Sequence, residues 1–424
     1  MKTQINSSLS FDLILLFCTA AVLRIAYILT YGIWNGGDTP DYIEIAKNLV
    51  FNHAFAFTNP DGSLIYTASR SFTYPALIAL LWSGDEPPIN LVVTIQVILG
   101  SLTVVIIYLI ARKNFNRCIS FVSALLFALL PIAIKYTGVI LTETLFTFLL
   151  VAACYLWGNQ KSRAAGILFG LAFLTRPIVF PFLLLLPLIS YLPSFKDTRR
   201  SLFTITVISV LVALPWMARN SLLFGQPTLT LSSGYGSILL QGTIETPLYG
   251  DHIWPWLFKL PVMQNVDGLN EVEQDRRKIK IAVNRIAENP FGWLKVRAKQ
   301  YPRLFFESGD SLLGGLRLPP ISQAVKESDF LVIFIKVGFV ALCAFLFLMF
   351  FFGFAGFIKR YPQLIHIYLL PMFFMLIHLP MWTESRYLLP VMPFVYIVAV
   401  YGFVILKDYF NHSRNQMKTI VVVG

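Results

Sequence analysis

The chain has 424 residues, of which 56% are hydrophobic and 13% are charged, whereas an average soluble domain carries about 25% charged residues. With a mean hydropathy of +0.68, it cannot hide its apolar residues in one core beneath a polar surface, so an ordinary water-soluble enzyme is excluded and lipid is the remaining solvent. Lys and Arg number 34 against 22 Asp and Glu, which gives a net charge of +12. Many of these cations occupy short loops between apolar runs, as in membrane proteins, so nucleic-acid binding is not expected.

A helix that crosses the hydrocarbon core of a bilayer needs about 20 mostly apolar residues. The first such run, 11–31, is expected to remain as an anchor and not to be cleaved as a signal peptide, because Arg24 interrupts it and no small-residue cleavage site precedes the polar loop. Further single spans are predicted at 89–111, 118–136, 139–157, 201–219, 330–357, 363–381 and 387–406.

The stretch 166–192 is too long for one span and too short for two full ones. The loops on either side of it, 158–165 and 193–200, are both basic, and basic loops favour the cytoplasmic side. The stretch should therefore enter and leave the membrane on the same side. We predict two short helices with Arg176 at the outer tip.

These spans predict a single membrane domain, 1–424, with about ten transmembrane helices and both termini in the cytoplasm. Two long loops are left outside. The first, 32–88, is rich in acidic residues, and the second, 220–329, has both charge signs in near balance. The second also carries an amphipathic pattern that predicts a helix lying along the membrane surface, formed by Val272, Ile279, Val283 and Ile286.

Asp38 follows the first span in the sequence Gly36-Gly37-Asp38-Thr39-Pro40. A carboxylate at the edge of the membrane meets a low dielectric, which can raise its basicity enough to accept a proton from a hydroxyl. The alternative is a helix N-cap, since Asp38 precedes the helical pattern that starts near Tyr42.

Glu143 lies four residues into an apolar run near the predicted outer face. Ionisable groups are rare and costly at such depths and usually face a cavity or a partner. Arg24, within the first span, is one candidate partner. The alternative is an interfacial glutamate that snorkels to water.

Several arginines also fall at outer-face boundaries, where topology rules leave positive charge depleted. These are Arg70, Arg176, Arg219 and Arg386. A bound phosphate would explain them, because the guanidinium group holds phosphate oxygens in a bidentate way and stays charged near lipid. For any one of them, a lipid headgroup or a carboxylate partner is the alternative explanation.

Other chemistries have no support in the sequence. The cysteines have no paired spacing and the histidines no metal-like spacing, so a disulfide framework or a zinc site is not expected. The chain has no phosphate-cradling Gly-rich loop, no nucleophile elbow and no HExxH motif, which argues against nucleotide-driven transport and against serine or zinc hydrolysis.

Seven short motifs follow one another along the chain. They are Asp38-x-x-x-Tyr42-x-x-x-Ala46-x-x-Leu49, Arg70-x-x-x-Tyr74-Pro75, Glu143, Gly170-Leu171-Ala172-Phe173-Leu174-Thr175-Arg176-Pro177, Pro215-Trp216-x-x-Arg219-Asn220, Gly234-x-Gly236 and Ser385-Arg386-Tyr387-x-x-Pro390-x-x-Pro393. In this order and on this topology they resemble the GT-C superfamily of integral membrane glycosyltransferases. They look similar to glycosyltransferase family 39, and to the bacterial relatives of protein O-mannosyltransferase and of lipid A aminoarabinose transferase.

The resemblance covers about residues 11–406 and implies an all-α, multi-span membrane fold with a jaw of exterior amphipathic helices. It implies a donor sugar on polyprenyl phosphate and makes Asp38 the catalytic base. The positions that match donor-phosphate contacts are Arg70, Arg176 and Arg386. Candidate substrate contacts are Tyr74, Arg219 and Tyr387.

The chain departs from the family pattern next to the base. Many relatives have a second acid directly after the first, whereas Thr39 follows Asp38 here. Asp41 and Glu143 are therefore both candidate helper acids, and the departure points away from the protein mannosyltransferase branch. A divalent metal is compatible with the oxygen ligands of Asp38 and Glu143, but nothing in the sequence requires one.

The function that follows is transfer of a sugar to a hydroxyl of a cell-envelope glycolipid or polysaccharide, with a protein acceptor less favoured, on the exterior face of a bacterial plasma membrane. Attack by the deprotonated hydroxyl as the phosphate leaves predicts inversion at the anomeric carbon and no nucleotide-sugar site. The alternative is a transporter or flippase of a lipid-linked sugar, which would show two related halves with broken helices near the midplane. A non-catalytic scaffold is a third reading, and it would tolerate Asp38→Asn.

Overall fold

The structure is a computed structural model that describes residues 2–228, 234–245, 259–264, 268–306 and 321–423. Parts of the predicted second exterior loop, 229–233, 246–258, 265–267 and 307–320, lie outside these ranges. Regular structure in the described part is helical except for a short antiparallel hairpin in the first exterior loop, formed by β1 (Ala56–Thr58) and β2 (Leu64–Tyr66). The predicted all-α fold class is confirmed.

The described α-helices, in chain order, are α1 (Lys2–Tyr31), α2 (Thr39–Phe51), α3 (Thr73–Leu80), α4 (Ile89–Arg112), α5 (Arg117–Ala128), α6 (Pro131–Lys135), α7 (Glu143–Gly158), α8 (Ser162–Thr175), α9 (Phe180–Ile189), α10 (Arg199–Phe224), α11 (Tyr235–Gln241), α12 (Pro261–Gln264), α13 (Glu271–Glu288), α14 (Pro290–Gln300), α15 (Arg303–Phe306), α16 (Ile321–Lys326), α17 (Phe330–Arg360), α18 (Ile365–Ile377) and α19 (Met392–Val423). Short 3₁₀ turns occur at Tyr136–Gly138, Pro177–Val179, Pro193–Thr198, Pro362–Leu364, Ser385–Tyr387 and Leu389–Val391.

Each predicted span coincides with apolar helix. Among the described residues, five helices are long and apolar enough to cross a membrane, and shorter apolar helices cover the remaining predicted spans. The predicted span 118–136 is broken, because α5 and the segment from Pro131 to Gly138 meet at 57°. Proline at the first position of α6 cannot continue the hydrogen bonding of α5, which explains the bend. The chain is an integral membrane protein, but the total of about ten crossings stays a prediction.

Burial separates central from peripheral spans. The most apolar stretch of α19 is 78% buried inside the protein and that of α4 is 56% buried, whereas the corresponding share is 17% for α1 and 22% for α17. Since a helix that is apolar all round must cover its surface with protein or with lipid, α4 and α19 lie in the centre of the bundle. Helices α1 and α17 turn most of their surface to lipid.

The stretch 166–192 forms the predicted helical hairpin. The hydroxyl groups of Ser162, at the start of α8, and Ser201, at the start of α10, lie 2.6 Å apart. Between them, α9 runs antiparallel to α10, and the Thr206 hydroxyl donates to the Leu183 carbonyl at 2.9 Å. The two ends of the hairpin therefore lie together, and Arg176 lies at the opposite end between α8 and α9.

Glycines set the spacing between α8 and α10. A Cβ atom added to Gly166 would lie 2.8 Å from the Cβ of Ile208, and one added to Gly170 would lie 2.6 Å from the Cβ of Val212. Ser209 donates its hydroxyl to the Gly166 carbonyl at 3.0 Å across the same contact. Small residues allow this approach because van der Waals packing and hydrogen bonds hold helices together in lipid.

The two loops that the sequence predicts to be exterior, 32–88 and 220–329, are joined by hydrogen bonds. Glu271, in the first turn of α13, accepts from the Thr67 hydroxyl at 2.5 Å and from the Ala68 backbone N–H at 2.8 Å. The apolar stripe of α13 packs partly on α11, with Val272 and Ala282 buried, while Val283 is 51% exposed. Protein contacts thus account for part of the stripe that predicted a membrane-surface helix. Its position along the membrane surface stays a prediction.

The close packing of α8 on α10 predicts a selective loss of stability in Gly170→Ala. The added methyl group would overlap Val212 and lie 3.0 Å from the Ser209 carbonyl, so the unfolding free energy should fall by roughly 1–3 kcal/mol. The matched control is Gly338→Ala in α17, where an added Cβ meets nothing within 4 Å. Thermal unfolding in detergent measures the difference. Equal melting temperatures for the two variants would show that α8 and α10 do not pack this closely.

The predicted orientation is testable with introduced cysteines, after the exposed Cys18 and Cys118 are replaced by serine. Cysteine at exposed Ser63, in the β1–β2 turn, should react with a membrane-impermeant maleimide in intact cells. Cysteine at exposed Lys161, before α8, should react only after permeabilisation. The reverse labelling pattern would mean that the chain has the opposite orientation in the membrane.

Candidate active site

Hydrogen bonds to backbone carbonyls hold the loop that carries Asp38, the predicted catalytic acid. The Trp34 backbone N–H donates to the Gly138 carbonyl at 3.0 Å, and the Thr39 hydroxyl donates to the Ile140 carbonyl at 3.0 Å. These bonds hold the loop that carries Asp38 beside the extended segment that leads into α7. Because α7 begins at Glu143, two candidate acids that are distant in sequence share one neighbourhood.

Asp38 occupies the N-cap position of α2, but its side chain forms no capping hydrogen bond. Its Oδ1 instead accepts from Arg70 Nη2 at 2.7 Å, and Arg70 also donates to Asp41 Oδ2 through Nη2 at 2.7 Å and Nε at 3.1 Å. The Asp38 side chain remains 48% exposed. Burial opposes the charge of Arg70, yet the carboxylates of Asp38 and Asp41 hold the pKa of this guanidinium above its ordinary value.

Glu143 is the centre of a second cluster. It is 2% exposed, and its Oε1 lies 3.2 Å from Arg176 Nη1 and 3.6 Å from Arg386 Nη1. Arg386 also pairs with Glu384, whose Oε2 lies 2.6 Å from its Nε. The snorkelling interpretation of Glu143 is therefore wrong, since the side chain points into protein and meets two cations.

The suggested pairing of Arg24 with Glu143 is also wrong. Arg24 is fully buried in α1, and its Nη1 donates to the Ala20 carbonyl one turn earlier at 3.0 Å. Its Nε points towards Gly100 of α4, where an added Cβ would lie 2.7 Å away. The rotation of α1 thus directs Arg24 at α4 and away from the carboxylate.

Tyr42 lies between the two clusters. Burial is the main cause that raises the pKa of its hydroxyl to about 12. The charges of both clusters act on it as well, from Arg70, Asp38, Glu143 and Arg176. The hydroxyl consequently remains protonated at neutral pH. The arrangement brings both acids and three of the predicted arginines to one end of the bundle.

The predicted tyrosines lie at the edges of this site. Tyr74 is fully buried, with its ring 5.1 Å from that of Tyr42 and its hydroxyl donating to Gln96 at 2.8 Å. Tyr387 is 8% exposed and stacks on His378 at 5.1 Å. In this conformation both rings pack against neighbouring rings, and their contact with a substrate stays a prediction.

Arg219 lies apart from the arginine clusters. It donates to the Thr67 carbonyl at 2.7 Å and to the Phe55 carbonyl at 3.1 Å, which ties α10 to the β1–β2 region. Its guanidinium carbon also lies 4.8 Å from the centre of the Trp216 ring. These contacts describe an anchor for the first exterior loop, and substrate binding by Arg219 stays a prediction.

Two residues near the site were not singled out from the sequence. Glu384 stands two positions before Arg386, directly before the Ser385-Arg386-Tyr387 motif, and its other oxygen accepts from the Trp382 indole at 3.2 Å. Tyr235 is held between Gly234 and Gly236, whose backbone N–H groups both donate to Asp275 Oδ1, at 2.9 and 2.7 Å. Burial raises the pKa of Tyr235, and the charge of Arg176 acts on it. The Gly234-x-Gly236 motif in the sequence marks the position of Tyr235.

The described residues contain no group of three His, Cys, Asp or Glu side chains that could hold a metal ion. Asp38 faces Arg70, and Glu143 faces Arg176 and Arg386. The two carboxylates are therefore arranged as partners of arginines in this conformation.

The chain is similar to a known protein family and to solved structures. A family model described as dolichyl-phosphate-mannose-protein mannosyltransferase matches residues 70–219. The fold matches a structure of the oligosaccharyltransferase AglB from the archaeon Archaeoglobus fulgidus, solved with an inhibitory peptide and a dolichol-phosphate, with a TM-score of 0.53 at 16% identity. That match covers 96% of this chain and 52% of the archaeal one. Over residues 70–219 the chain is similar to this family, and its fold is similar to that of the archaeal oligosaccharyltransferase.

Further comparisons are with two solved structures. A structure of the Archaeoglobus fulgidus oligosaccharyltransferase with Zn and sulfate gives a TM-score of 0.54 at 17% identity, over 97% of this chain and 51% of that one. The enzyme ArnT from Cupriavidus metallidurans, bound to undecaprenyl phosphate, gives 0.42 at 13% identity, over 92% of this chain and 76% of that one. No curated protein sequence matches. The chain spans about half the length of the archaeal oligosaccharyltransferase.

The contacts of Asp275 predict how the second exterior loop is held at the site. Asp275→Ala would leave the backbone N–H groups of Gly234 and Gly236 without their acceptor in a buried position, at a cost of about 1–3 kcal/mol in unfolding free energy. Asp275→Asn keeps an acceptor oxygen and should lose less. Thermal unfolding checks the order, with exposed Glu288→Ala on the same helix as a near-neutral control. If Asp275→Ala melted like the control, the Gly-x-Gly segment would not depend on this carboxylate.

Proposed function

We propose that this protein transfers a sugar from a polyprenyl-phosphate carrier to a hydroxyl group of a cell-envelope glycolipid or polysaccharide, with Asp38 as the general base. The observation that carries the proposal is the convergence of a half-exposed carboxylate, Asp38, with Arg70 and the Glu143–Arg176–Arg386 cluster. A transfer reaction of this kind needs a base for the acceptor and cations for the leaving phosphate, and this end of the bundle supplies both.

The arginines suit a lipid phosphate. The side chains of Arg176 and Arg386 are 24% and 23% exposed, so each is partly open although both approach the same oxygen of Glu143. A polyprenyl chain cannot leave the bilayer, so its phosphate must be met at the membrane boundary. Guanidinium groups held by a buried acid are positioned to take up the charge that grows on the phosphate as the sugar departs. The leaving group then needs no proton.

Asp38 suits the base. Its side chain is the most exposed of the ion-paired carboxylates at this site, and Arg70 divides its hydrogen bonds between Asp38 and Asp41. Arg70 thereby orients the carboxylate while leaving one oxygen to face an incoming hydroxyl. Proton removal by Asp38 favours attack on the anomeric carbon from the side opposite the phosphate, which predicts inversion. Asp41 and Glu143 act in this scheme through the arginines that they hold.

The comparisons support the donor class. The matching family model is named for enzymes that use dolichyl-phosphate-mannose, and the archaeal structure was solved with a dolichol-phosphate. We extend that chemistry to this chain as a polyprenyl-phosphate sugar. The preference for a glycan or lipid acceptor rests on Thr39, which stands where many relatives have a second acid. The location proposed is a bacterial plasma membrane, with the site on the exterior face and both termini in the cytoplasm.

A transporter or flippase of a lipid-linked sugar is less well supported. Such proteins place charges near the midplane of the membrane, between related halves. Here Glu143 begins α7 and Arg176 ends α8, so both charges lie at helix ends. A through-going path would need charges along the helices, whereas Glu143, Arg176 and Arg386 form one cluster.

Asp38→Asn tests the assignment of the base. The amide keeps the shape of the side chain but cannot take a proton, so the transfer rate should fall at least about 10²-fold. A transfer assay in proteoliposomes, with a panel of polyprenyl-phosphate sugars, measures it. Asp61→Asn is the matched control, because Asp61 is an exposed acid of the same loop and its side chain accepts from Ser63. Full activity of Asp38→Asn would remove Asp38 as the base.

Arg176→Gln tests the donor site separately. Loss of one charge-assisted contact with the phosphate should lower kcat/KM for the donor by roughly 10- to 100-fold, corresponding to about 1.4–2.7 kcal/mol. Lys280→Gln, at an exposed position on α13, removes the same charge and should leave the kinetics unchanged. If Arg176→Gln left kcat/KM for the donor unchanged, the donor phosphate would have to bind elsewhere.

A further inference from the structure

A charged pocket lies at the end of the α8–α9–α10 unit that is opposite Arg176. It has a volume of about 400 Å³ and is formed where α9 ends and α10 begins. Its lining residues are Ser190, Tyr191, Lys196, Asp197, Arg199, Arg200 and Phe203. This end of the unit is far along the helices from the proposed transferase site, so the pocket has no part in that chemistry.

Three cationic side chains and one acidic side chain line the pocket. Arg199 donates from Nε to the Ser190 carbonyl at 3.2 Å, and its guanidinium carbon lies 4.7 Å from the centre of the Tyr191 ring. Among the described residues, neither Arg199 nor Lys196 nor Arg200 forms an ion pair, and Asp197 pairs with none of them. The pocket therefore carries a surplus of positive charge, with Arg199 held in place by the backbone and by an aromatic face.

Apolar side chains surround these charges. Tyr191 is 72% exposed, Leu192 53% and Phe203 59%. Phe203 lies one helical turn into α10, on the membrane side of Arg199 and Arg200. A ligand that fills the pocket and covers these groups needs an anionic head and an apolar tail.

We propose that this pocket binds the phosphate headgroup of an anionic phospholipid from the adjacent leaflet, with the acyl chains against Phe203 and Leu192. Basic pockets beside membrane helices bind such headgroups through the same combination of charge and apolar surface. The volume is within the range of small-molecule sites. A bound lipid would stabilise the junction between α9 and α10. Arg176 lies at the opposite end of α9. The proposal does not depend on the transferase assignment.

The test compares two variants that each lose three positive charges. The pocket variant is Lys196→Gln/Arg199→Gln/Arg200→Gln. The control variant is Lys359→Gln/Arg360→Gln/Lys407→Gln, at exposed cations on α17 and α19 outside the pocket. Native mass spectrometry counts the retained lipid after incubation with phosphatidylglycerol or phosphatidylcholine. Wild type and control should retain phosphatidylglycerol in preference, and the pocket variant should bind it at least about tenfold more weakly.

Further arms separate the sources of the phosphate and guard against misfolding. Glycerol 3-phosphate alone should not raise the melting temperature, whereas phosphatidylglycerol should. Phe203→Ser, which keeps all three cations, should also weaken lipid retention. Equal retention by the pocket and control variants, or equal retention of both lipids, would refute the site. A melting-temperature rise with glycerol 3-phosphate that matches the lipid would make it a site for a free phosphate and overturn the lipid assignment.

Discussion

A carboxylate that is almost fully buried at the edge of the membrane needs cationic partners, and Glu143 has two. An isolated charge in such surroundings is strongly disfavoured, whereas a paired one is tolerated. Glu143, Arg176 and Arg386 lie far apart in the sequence, so their meeting constrains how α7, the α8–α9 turn and the segment before α19 come together. Any repacking that separated them would leave buried charge uncompensated. The candidate site is thus tied to the integrity of the bundle.

The two loops that are predicted to lie outside the membrane are held in two ways. Apolar side chains such as Phe55 join the buried core, and hydrogen bonds from side chains tie the loops to distant segments. Glu271 holds Thr67 and Ala68, Arg219 binds the carbonyls of Thr67 and Phe55, and Thr39 donates to Ile140. Each such bond is worth about 1 kcal/mol, and each fixes one loop relative to another. The loop that bears Asp38 is therefore positioned by several modest contacts.

Within the membrane, close approach of backbones replaces the hydrophobic driving force. Gly353 of α17 and Gly402 of α19 allow contact of the kind seen between α8 and α10, since a Cβ added to Gly353 would lie 2.8 Å from the Gly402 Cα. Lipid is as apolar as leucine, so helices gain little by burying leucine and more by fitting closely. This packing carries the helix ends on which the charged groups stand.

The sequence by itself determined the membrane class, the positions of the apolar helices and the α8–α9 hairpin, because these follow from the length of apolar runs and from the charge of short loops. It also placed Asp38, Glu143 and four arginines near the predicted ends of apolar runs, since position relative to a run is a local property. Only the tertiary structure decided which charges meet. Arg24 is directed at Gly100, Glu143 joins Arg176 and Arg386, and Glu384 enters the cluster, because pairing depends on helix rotation and on contacts between segments that no local pattern encodes.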